Sequence, residues 1–345
     1  MATIASTSVV ALDAQRNIRE DLGNVIFNVT PFMTPFTSGI SQARATADTH
    51  EWLTDTYEDA IDTNARVEAG LPQTSTAGTT RVRLGNFIQI ADKAVTVTKK
   101  AEFMDRAGVP GKEMAYQLMK KGKELQMDVE KQALGAYGAN STKSPGTAIA
   151  AGVSGAFGAY IGTNQNNGGV AGAIANTGVG GAGIVFDGST VPTEGTATAA
   201  IEQSRMDSLL DGVWDNSGDI NSAKIMASAG VVSSLRNTLS GMATNADSVV
   251  SNLDANATSG GNIIARVAVY VSQFGPIAVV PNKHMPAKTL YAVDYSTWGL
   301  AFAGGKKIHT TDLATQTSAE QKLLECYYTL ECRSEEANGA YYNIT

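Results

Sequence analysis

The stretch VPGKEMAYQLMKKGKELQMDVEKQALGAYG, residues Val109–Gly138, predicts one long helix around which the rest of the chain is organised. Pro110 lies where a first-turn proline is tolerated, and the interior is rich in good helix formers. Apolar residues recur on one helical stripe, in which Gly122 fills the missing step: Met114, Leu118, Leu125, Val129 and Ala133. At 1.5 Å per residue the helix would be roughly 45 Å long. That length suits a strut across an elongated molecule, although an ordinary surface helix of an α/β protein fits the same pattern.

The opposite face of this helix is charged, and we expect it to face solvent. Its members are Lys120, Lys121, Lys123, Glu124, Asp128, Glu130 and Lys131. Lys120 and Glu124 are four residues apart and attract each other, whereas Glu124 and Asp128 have the same spacing and repel each other.

Composition limits the classes of function that are open to the chain. Its 345 residues can bury a real core and would usually divide into two lobes. The net charge of −7 argues against a dedicated nucleic-acid binder, because phosphate contact needs a basic stripe and the Lys and Arg residues are scattered. Contact with nucleic acid would be local or weak. Charged residues are only 17% of the chain, which is compatible with a surface largely covered by neighbouring subunits.

The N-terminal sequence and the lack of long apolar runs predict a protein made in a cytoplasm, and the two cysteines are expected not to pair with each other. No apolar run reaches about 18 residues, and the start MATIASTSVVALDAQRNIRE lacks the pattern of a secretory signal, so we expect no membrane contact. Cys326 and Cys332 lie in LLECYYTLEC, which reads as a strand. Six residues of strand would separate them by about 20 Å, too far for a disulfide. We expect both to be small buried groups on one face of a sheet.

The N-terminal third predicts two extended parts. In VIFNVTPFMTPFTSGI the prolines interrupt regular structure while large apolar groups accumulate, namely Ile26, Phe27, Phe32, Met33 and Phe36. This arm must therefore lie on the main domain or reach a neighbouring subunit. From His50 to about Lys100 the pattern is β, with a loop from Glu68 to Thr80, and indicates a two-stranded excursion. Such a hairpin is marginal in water alone, and its missing partner could be another chain.

The remainder predicts a glycine-rich segment and an α/β region. Residues 140–198 are dominated by small residues and by composition could be a disordered linker. A helix with Ile201, Met206, Leu209, Leu210 and Val213 on its inner side follows and ends near Gly218. We then expect a second helix in ASAGVVSSLRNTLSGM, a hairpin turning near Phe274–Pro276, a strand region in TLYAVDYSTWGLAFA, and two terminal strands joined at Ala337–Gly339.

Residues for catalysis, cofactor binding or metal binding are not indicated. His50, His284 and His309 are far apart in sequence and lack ligand spacing, so a structural role is expected for each. GVGGAG (Gly178–Gly183) lacks the preceding strand and following helix of a dinucleotide loop, and GVPGKE (Gly108–Glu113) lacks the Ser or Thr of a phosphate loop. We therefore predict no enzyme, no cofactor and no metal.

Five stretches resemble the HK97-fold major capsid proteins of tailed bacteriophages, in particular the family found in podovirus-like phages. They are NVTPFMTPFTSGI (Asn28–Ile40), HEWLTDTY (His50–Tyr57), FGPIAVVPNKHMP (Phe274–Pro286), LYAVDYSTW (Leu290–Trp298) and LLECYYTLECRSEEANGAYYNI (Leu323–Ile344). The resemblance implies an α+β HK97-like capsid fold. The implied parts are an N-terminal arm (1–47), an extended loop (48–104), a peripheral domain with the spine helix (105–140), a Gly-rich insertion (141–198), an axial domain (199–304) and peripheral return strands (305–345).

The resemblance also implies a function. Pentamers and hexamers of the chain would close an icosahedral shell around double-stranded DNA, held by weak non-specific contact, in a virion assembled in the host bacterial cytoplasm. The expected partners are a portal protein, in some cases a decoration protein, and a separate scaffolding protein, because the arm is too short to contain a cleavable scaffold. We expect neither internal cleavage nor a lysine–asparagine cross-link. The alternatives are an encapsulin-like compartment that packages protein, a tail or decoration protein, and a metabolic enzyme with a polar pocket.

Overall fold

The computed structural model describes residues 32–57, 60–68, 81–104, 111–170, 175–179, 185–217, 219–220, 222–242, 269–314 and 318–345, with the backbone alone for 236–242. Its helices are α1 (Pro35–Gly39), α2 (Lys99–Phe103), α3 (Glu113–Ala133), α4 (Phe157–Tyr160), α5 (Gln203–Ser217) and α6 (Ala229–Met242). Its strands are β1 (Ser41–Ala45), β2 (Thr49–Thr54), β3 (Val82–Phe87), β4 (Gln89–Thr98), β5 (Gln165–Asn166), β6 (Ala223–Ala227), β7 (Val269–Ser272), β8 (Gly275–Pro281), β9 (Leu290–Asp294), β10 (Trp298–Ala303), β11 (His309–Asp312), β12 (Ala319–Cys332) and β13 (Gly339–Tyr341). The predictions for Ile26, Phe27, Pro110, Gly218 and the loop at 69–80 fall outside the described residues.

The organising helix is shorter than the sequence predicts. α3 spans 21 residues, or about 31 Å, because Gly111 takes a left-handed φ of +99° before it and the backbone turns at Leu134 and Gly135 after it. The predicted apolar stripe is confirmed: Met114, Leu125, Val129 and Ala133 are buried and Leu118 packs against the same core. The charged face differs at one position, because the predicted solvent-facing Glu130 is fully buried.

The ion pairs of α3 also differ from the predicted ones. Glu124 pairs with Lys121, at 2.6 Å between Nζ and Oε2, and not with Lys120. Asp128, whose repulsion by Glu124 was expected, pairs with Lys93 of β4, at 2.6 Å between Nζ and Oδ2. A neighbouring strand therefore supplies the cation that the helix sequence alone does not show.

The first sheet is built around the 14-residue strand β12. One edge of β12 pairs antiparallel with β4, while its other edge pairs with β11 in the first half and with β10 in the second. β1 joins parallel to β10, so the last part of the predicted arm (1–47) belongs to this sheet. α3 packs across β4 and β12, and the predicted strand around Val95 and Val97 is confirmed with both residues buried.

The second sheet has the order β5-β13-β9-β6-β8-β7 and is covered on both faces. Alternate residues of its central strands enter two different cores: in β9, Tyr291 and Val293 join the core of α3, whereas Leu290 and Ala292 join the core of α5 and α6. Burial on both faces explains why LYAV is an uninterrupted apolar run. The two expected lobes therefore exist as two cores, but they share one sheet.

Sheet membership departs from the expected lobe boundary at residue 304. β10, expected with the axial region, lies in the first sheet beside β12, and β13, expected with the peripheral strands, lies in the second sheet beside β9. The two terminal strands are present, but β12 and β13 belong to different sheets and do not pair with each other. The chain passes from one sheet to the other at Tyr295–Thr297 and again after Cys332. The local sequence does not predict either change of sheet.

The glycine-rich segment contributes to the core through residues 156–161, so its interpretation as a disordered linker is wrong for that described part. Ala156, Phe157, Ala159, Tyr160 and Ile161 are all fully buried. The small residues serve close backbone packing: a Cβ on Gly158 would lie 2.9 Å from the Cα and O of Ala136. α5 buries four of the predicted inner residues, Met206, Leu209, Leu210 and Val213, whereas Ile201 is buried two residues before the helix begins. The second predicted helix is present as α6, and the predicted hairpin is present as β7–β8, turning at Gln273–Phe274.

Candidate assembly surfaces

The buried carboxylate of Glu130 holds the first turn of the arm. Its Oε1 accepts hydrogen bonds from the backbone N–H of Phe36, at 2.9 Å, and from the side-chain amide of Asn282, at 2.7 Å. Its Oε2 accepts from the backbone N–H and the hydroxyl of Thr37, at 2.8 and 2.7 Å. These N–H groups begin α1 and would otherwise need a cap, since Thr34 makes no side-chain cap bond. Glu130 therefore ties the arm, α3 and the segment after β8 together.

An aromatic cluster buries Phe36 of the arm on the arm's own subunit. Phe36 is fully buried and meets Phe157 and Trp298 edge-on, at 6.1 and 5.9 Å between ring centroids. Phe157 stacks on Trp298 at 4.6 Å and on Tyr291 at 4.2 Å, which joins the first sheet to the second. Phe32 and Met33, at the start of the described arm, are 42% and 36% exposed. The described part of the arm thus lies on its main domain through Phe36, while Phe32 and Met33 are left partly exposed.

The base of the two-stranded excursion is fixed by a buried asparagine. Asn86 of β3 donates through its side-chain amide to the carbonyl oxygen of Leu330, at 2.8 Å, and to Ser154 Oγ, at 3.0 Å. Its Oδ1 accepts from the backbone N–H of Gly155 at 2.8 Å. The excursion is therefore attached to both the first sheet and the glycine-rich segment.

A charged contact lies beside this base. His50 Nε2 of β2 is 3.4 Å from Glu331 Oε2, and Arg333 Nε is 3.1 Å from Glu331 Oε1. Trp52 packs near Tyr160, at 6.0 Å between ring centroids. The carboxylate thus links the excursion to the end of β12.

Beyond its base the excursion exposes apolar side chains. β2 and β3 form a separate two-stranded sheet, whereas β4, which the predicted excursion from His50 to about Lys100 included, pairs with β12 in the first sheet. Cross-strand ion pairs join Arg83 to Glu51 and Arg81 to Asp55. Such exposed pairs contribute little stability. Leu53 is 65% exposed, and the extended chain that follows presents three more apolar residues, which we call the loop surface: Tyr57, Ile61 and Val67. Their exposure leaves the apolar side chains of the loop surface available for burial against another molecule.

Two further apolar surfaces lie elsewhere on the subunit. Phe103 and Met104, at the end of α2, are 86% and 54% exposed. On the second sheet, Val271 of β7 is exposed, and Trp214 of α5 is partly exposed and stacks on Phe274 at 5.1 Å between ring centroids.

The residues considered for chemistry have separate surroundings. His50 faces Glu331, and His309 Nε2 lies 3.3 Å from Glu325 Oε2. The Nε2 of His284 is buried and has no hydrogen-bond partner among the residues that the structure describes. Within the described ranges, no three His, Cys, Asp or Glu side chains lie close enough together to hold a metal ion. None of the helices that the structure describes is long and apolar enough to cross a membrane.

Both cysteines are free and buried, as predicted. Burial raises the pKa of Cys326 to about 12 and that of Cys332 well above its ordinary value. Of the GVGGAG stretch only Gly178 and Val179 are described, and of GVPGKE only its last three residues.

Sequence reasoning missed the buried polar residues that connect the segments. Besides Glu130, these are asparagines with several side-chain hydrogen bonds each, namely Asn86, Asn164, Asn176 and Asn338. For Glu130 a weak signal existed, because it stands three residues before the stripe residue Ala133. For the asparagines no local signal exists, because each bonds to a segment distant in the chain.

Comparison with known proteins shows the family of the chain. The sequence profile described as SU10 major capsid protein matches residues 3–345. The chain belongs to the SU10 major capsid protein family. The Major capsid protein of Escherichia phage Phieco32 is 32% identical over 117 residues, which are 34% of this chain and 33% of that protein. That match therefore spans about one third of the curated relative.

Solved structures show which fold the family member has. It is similar to the cyanophage A-1(L) capsid, with a TM-score of 0.62 at 12% identity, over 98% of this chain and 100% of the other. It is similar to the capsid of a native GTA particle, with a TM-score of 0.60 at 13% identity, over 99% and 100%. The SrpI encapsulin of Synechococcus elongatus PCC 7942 gives a TM-score of 0.50 at 8% identity, over 98% and 96%. These likenesses show the fold alone, and the predicted α+β HK97-like capsid fold is confirmed.

Proposed function

We propose that the chain is the major capsid protein of a tailed bacteriophage, whose pentamers and hexamers close an icosahedral shell around the double-stranded DNA genome. Family membership over residues 3–345 gives the class of protein. The observation that carries the proposal is the loop surface, in which Tyr57 is fully exposed and Ile61 and Val67 are 60% and 80% exposed. An extended segment with these side chains buries too little on its own subunit, so copies of the chain complete each other.

The parts of the subunit then have distinct roles in the shell. The first sheet with α3 is the peripheral domain, and the second sheet with α5 and α6 is the axial domain around five-fold and six-fold centres. The excursion β2–β3 and the loop surface reach over an adjacent subunit. Contacts of this kind are heterologous and form rings when their rotation closes.

The partners of assembly follow from the same proposal. A separate scaffolding protein directs closure, a portal protein occupies one vertex, a decoration protein binds in some shells, and assembly takes place in the host cytoplasm. We expect no internal cleavage and no lysine–asparagine cross-link. Mass spectrometry of subunits from mature particles would give the uncleaved mass, whereas a subunit beginning near residue 50 would contradict this expectation.

Negative-stain electron microscopy of the chain co-expressed with its neighbouring reading frames tests the function. Closed polyhedral shells with pentameric and hexameric capsomers are expected. A discrete small oligomer in the presence of the scaffold would refute the proposal. Particles from infected cells distinguish a phage capsid from an encapsulin-like compartment. Nuclease-protected DNA inside them supports a phage capsid, whereas protein cargo without DNA would indicate an encapsulin-like compartment.

A further inference from the structure

Two histidine–glutamate pairs lie along the strand β12. His50 Nε2 of β2 is 3.4 Å from Glu331 Oε2, and His309 Nε2 of β11 is 3.3 Å from Glu325 Oε2. The two glutamates are six residues apart in the strand, so they lie on the same face, opposite the face whose residues join the core of α3. β11 is also held to β12 by backbone pairing, whereas β2 pairs only with β3 among the described strands. The pair of His50 and Glu331 therefore joins two parts of the subunit: the excursion β2–β3 and the two larger sheets with their helices, which we call the body.

The pair at the base of the excursion is partly buried. The side chains of His50 and Glu331 are 18% and 11% exposed. A Cβ on Gly299 of β10 would lie 3.0 Å from Glu331 Oε2, so the carboxylate packs directly against the neighbouring strand. The imidazole ring lies 6.0 Å from the indole of Trp52, between ring centroids. Because partly buried charges are screened by salt less than exposed ones, we expect a stronger attraction in this pair, when both groups are charged, than in the exposed pairs farther along the excursion.

Arg333 keeps the carboxylate paired whether or not His50 is charged. Its Nε lies 3.1 Å from Oε1, the other carboxylate oxygen of Glu331. A neutral imidazole therefore does not leave this carboxylate as an unpaired charge. With its proton on Nε2, the neutral ring still donates a hydrogen bond to Oε2. Loss of the charge on His50 thus weakens the contact without removing it.

Further charged groups near this base are paired with each other. They form two ion pairs, one in the glycine-rich segment and one on the excursion: Lys143 with Asp187, and Arg83 with Glu51. Lys143 Nζ also lies 3.2 Å from the carbonyl oxygen of Gly85, one residue before the position opposite His50 in the β2–β3 ladder. Burial raises the pKa of Tyr160 well above its ordinary value, so this phenol stays neutral. Among all these side chains, histidine is the only type that ordinarily changes charge between about pH 5 and 8.

The charge of the imidazole sets the strength of the contact. A free histidine side chain has a pKa of about 6.5, and a free glutamate side chain has a pKa of about 4.3. A pair of this kind therefore carries both charges at about pH 5.5 and only the negative charge at about pH 7.5. A hydrogen bond with charged partners is roughly twice as strong as one between neutral groups. The additional attraction is thus present on the acidic side of neutrality and is lost as the pH rises and the imidazole loses its proton.

We propose that protonation of His50 strengthens the attachment of the excursion to the body, so that the excursion is held more firmly in mildly acidic solution than in neutral solution. This inference goes beyond the proposed function, because it concerns a single unassembled subunit. A two-stranded sheet is only marginally stable by itself, so a small change at its base alters how often it opens. The pair of His309 and Glu325 has the same chemistry, but it joins a strand that the backbone ladder already holds.

Amide hydrogen exchange of the unassembled full-length subunit, followed by mass spectrometry, tests the proposal. Peptides that cover β2 and β3 are compared at about pH 5.5 and about pH 7.5, with exchange times scaled for the intrinsic pH dependence of the exchange. In the wild type, the equilibrium constant for opening of β2–β3 should be about threefold smaller at the lower pH. His50→Gln keeps a hydrogen-bond donor without a titratable charge, and Glu331→Gln removes the opposite charge. In both variants the difference between the two pH values should disappear.

The matched control is His309→Gln, which removes the other histidine–glutamate pair and should retain the difference in β2–β3. Equal opening of wild-type β2–β3 at both pH values would overturn the proposal, as would a pH difference that persists in His50→Gln. Loss of the difference in the control would also overturn it, because the effect would then not arise at the base of the excursion. Circular dichroism checks that the variants fold, and Glu331→Gln gives the same test if His50→Gln does not. None of these measurements requires shells, so negative-stain images test the proposed function separately.

Discussion

At the scale of single residues, Glu130 shows how a buried charge can be satisfied without a cation. Four donors meet its two oxygens, and two of them are backbone N–H groups at the start of a helix. A buried carboxylate is tolerated only when hydrogen bonds replace its hydration. The arrangement makes one side chain responsible for the position of the arm, of Asn282 and of the end of α3.

Replacing this carboxylate should therefore destabilise the subunit strongly. Glu130→Ala leaves the buried N–H of Phe36 and the amide of Asn282 without an acceptor, and we expect the free energy of unfolding to fall by about 3 kcal/mol. Glu130→Gln keeps the shape and one acceptor oxygen, and should lose less. Urea unfolding of the unassembled subunit measures both. Lys123→Ala, on the exposed face of the same helix, is the control and should change stability by less than about 0.5 kcal/mol. A Glu130→Ala loss as small as that of the control would contradict the role assigned here.

The cysteines give a second prediction at this scale. An ordinary thiol is largely ionised by about pH 9 and reacts with disulfide reagents. Because burial raises the pKa of Cys326 to about 12 and that of Cys332 well above its usual value, neither should react in the folded chain at pH 7 to 9. Titration with Ellman's reagent should find no fast thiol before unfolding and two after it. Fast labelling of the folded chain that increases with pH would show that one of the two is accessible.

At the scale of elements, the helices were predictable and the sheet partners were not. The inner residues of α5 follow from local periodicity, since helix contacts with a core repeat every three or four residues. β9 and β10 are separated by only three residues, yet they enter different sheets. The apolar runs of β6, β9 and β13 are compatible with several pairings, because strands buried on both faces lose the alternation that fixes a register. Glu130 was misassigned for a related reason: its partners are 94 and 152 residues away.

Two glycines in neighbouring elements should respond to alanine in opposite directions. In α3, a Cβ on Gly122 would find Leu324 Cδ2 at an ordinary 3.8 Å, so Gly122→Ala should stabilise the subunit by about 0.5–1 kcal/mol through helix propensity. In α4, a Cβ on Gly158 would meet backbone atoms at 2.9 Å that cannot move aside cheaply, so Gly158→Ala should destabilise by about 1–3 kcal/mol. Thermal unfolding of both variants measures the sign. Destabilisation by Gly122→Ala would mean that α3 packs more closely on β12 than these distances state.

At the scale of the whole molecule, the two cores of the subunit share a sheet, while the excursion β2–β3 extends from them. The shared second sheet joins both cores, so the two lobes are connected through packed side chains as well as through the chain. The excursion β2–β3 touches this body mainly at its base, through Asn86 and the contact of His50 with Glu331. Substitutions in the exposed excursion should therefore change the association of subunits without changing the stability of the isolated subunit, because different residues determine each.

Tyr57 allows this separation to be tested. Its side chain is fully exposed in the subunit, so Tyr57→Ser should leave the free energy of unfolding of the unassembled subunit within about 0.5 kcal/mol of the wild type. If the loop surface is buried against an adjacent subunit, the same substitution removes a large apolar contact at every such interface, and co-expression with the scaffold should give few or no closed shells. Tyr57→Phe keeps the ring and should assemble normally, which distinguishes loss of apolar contact from loss of the hydroxyl. Shell yield measured by sucrose-gradient sedimentation and negative-stain counting decides the question. Wild-type yields from Tyr57→Ser would show that the residue carries little assembly energy and would move the interface to the exposed groups at Phe103 or Val271.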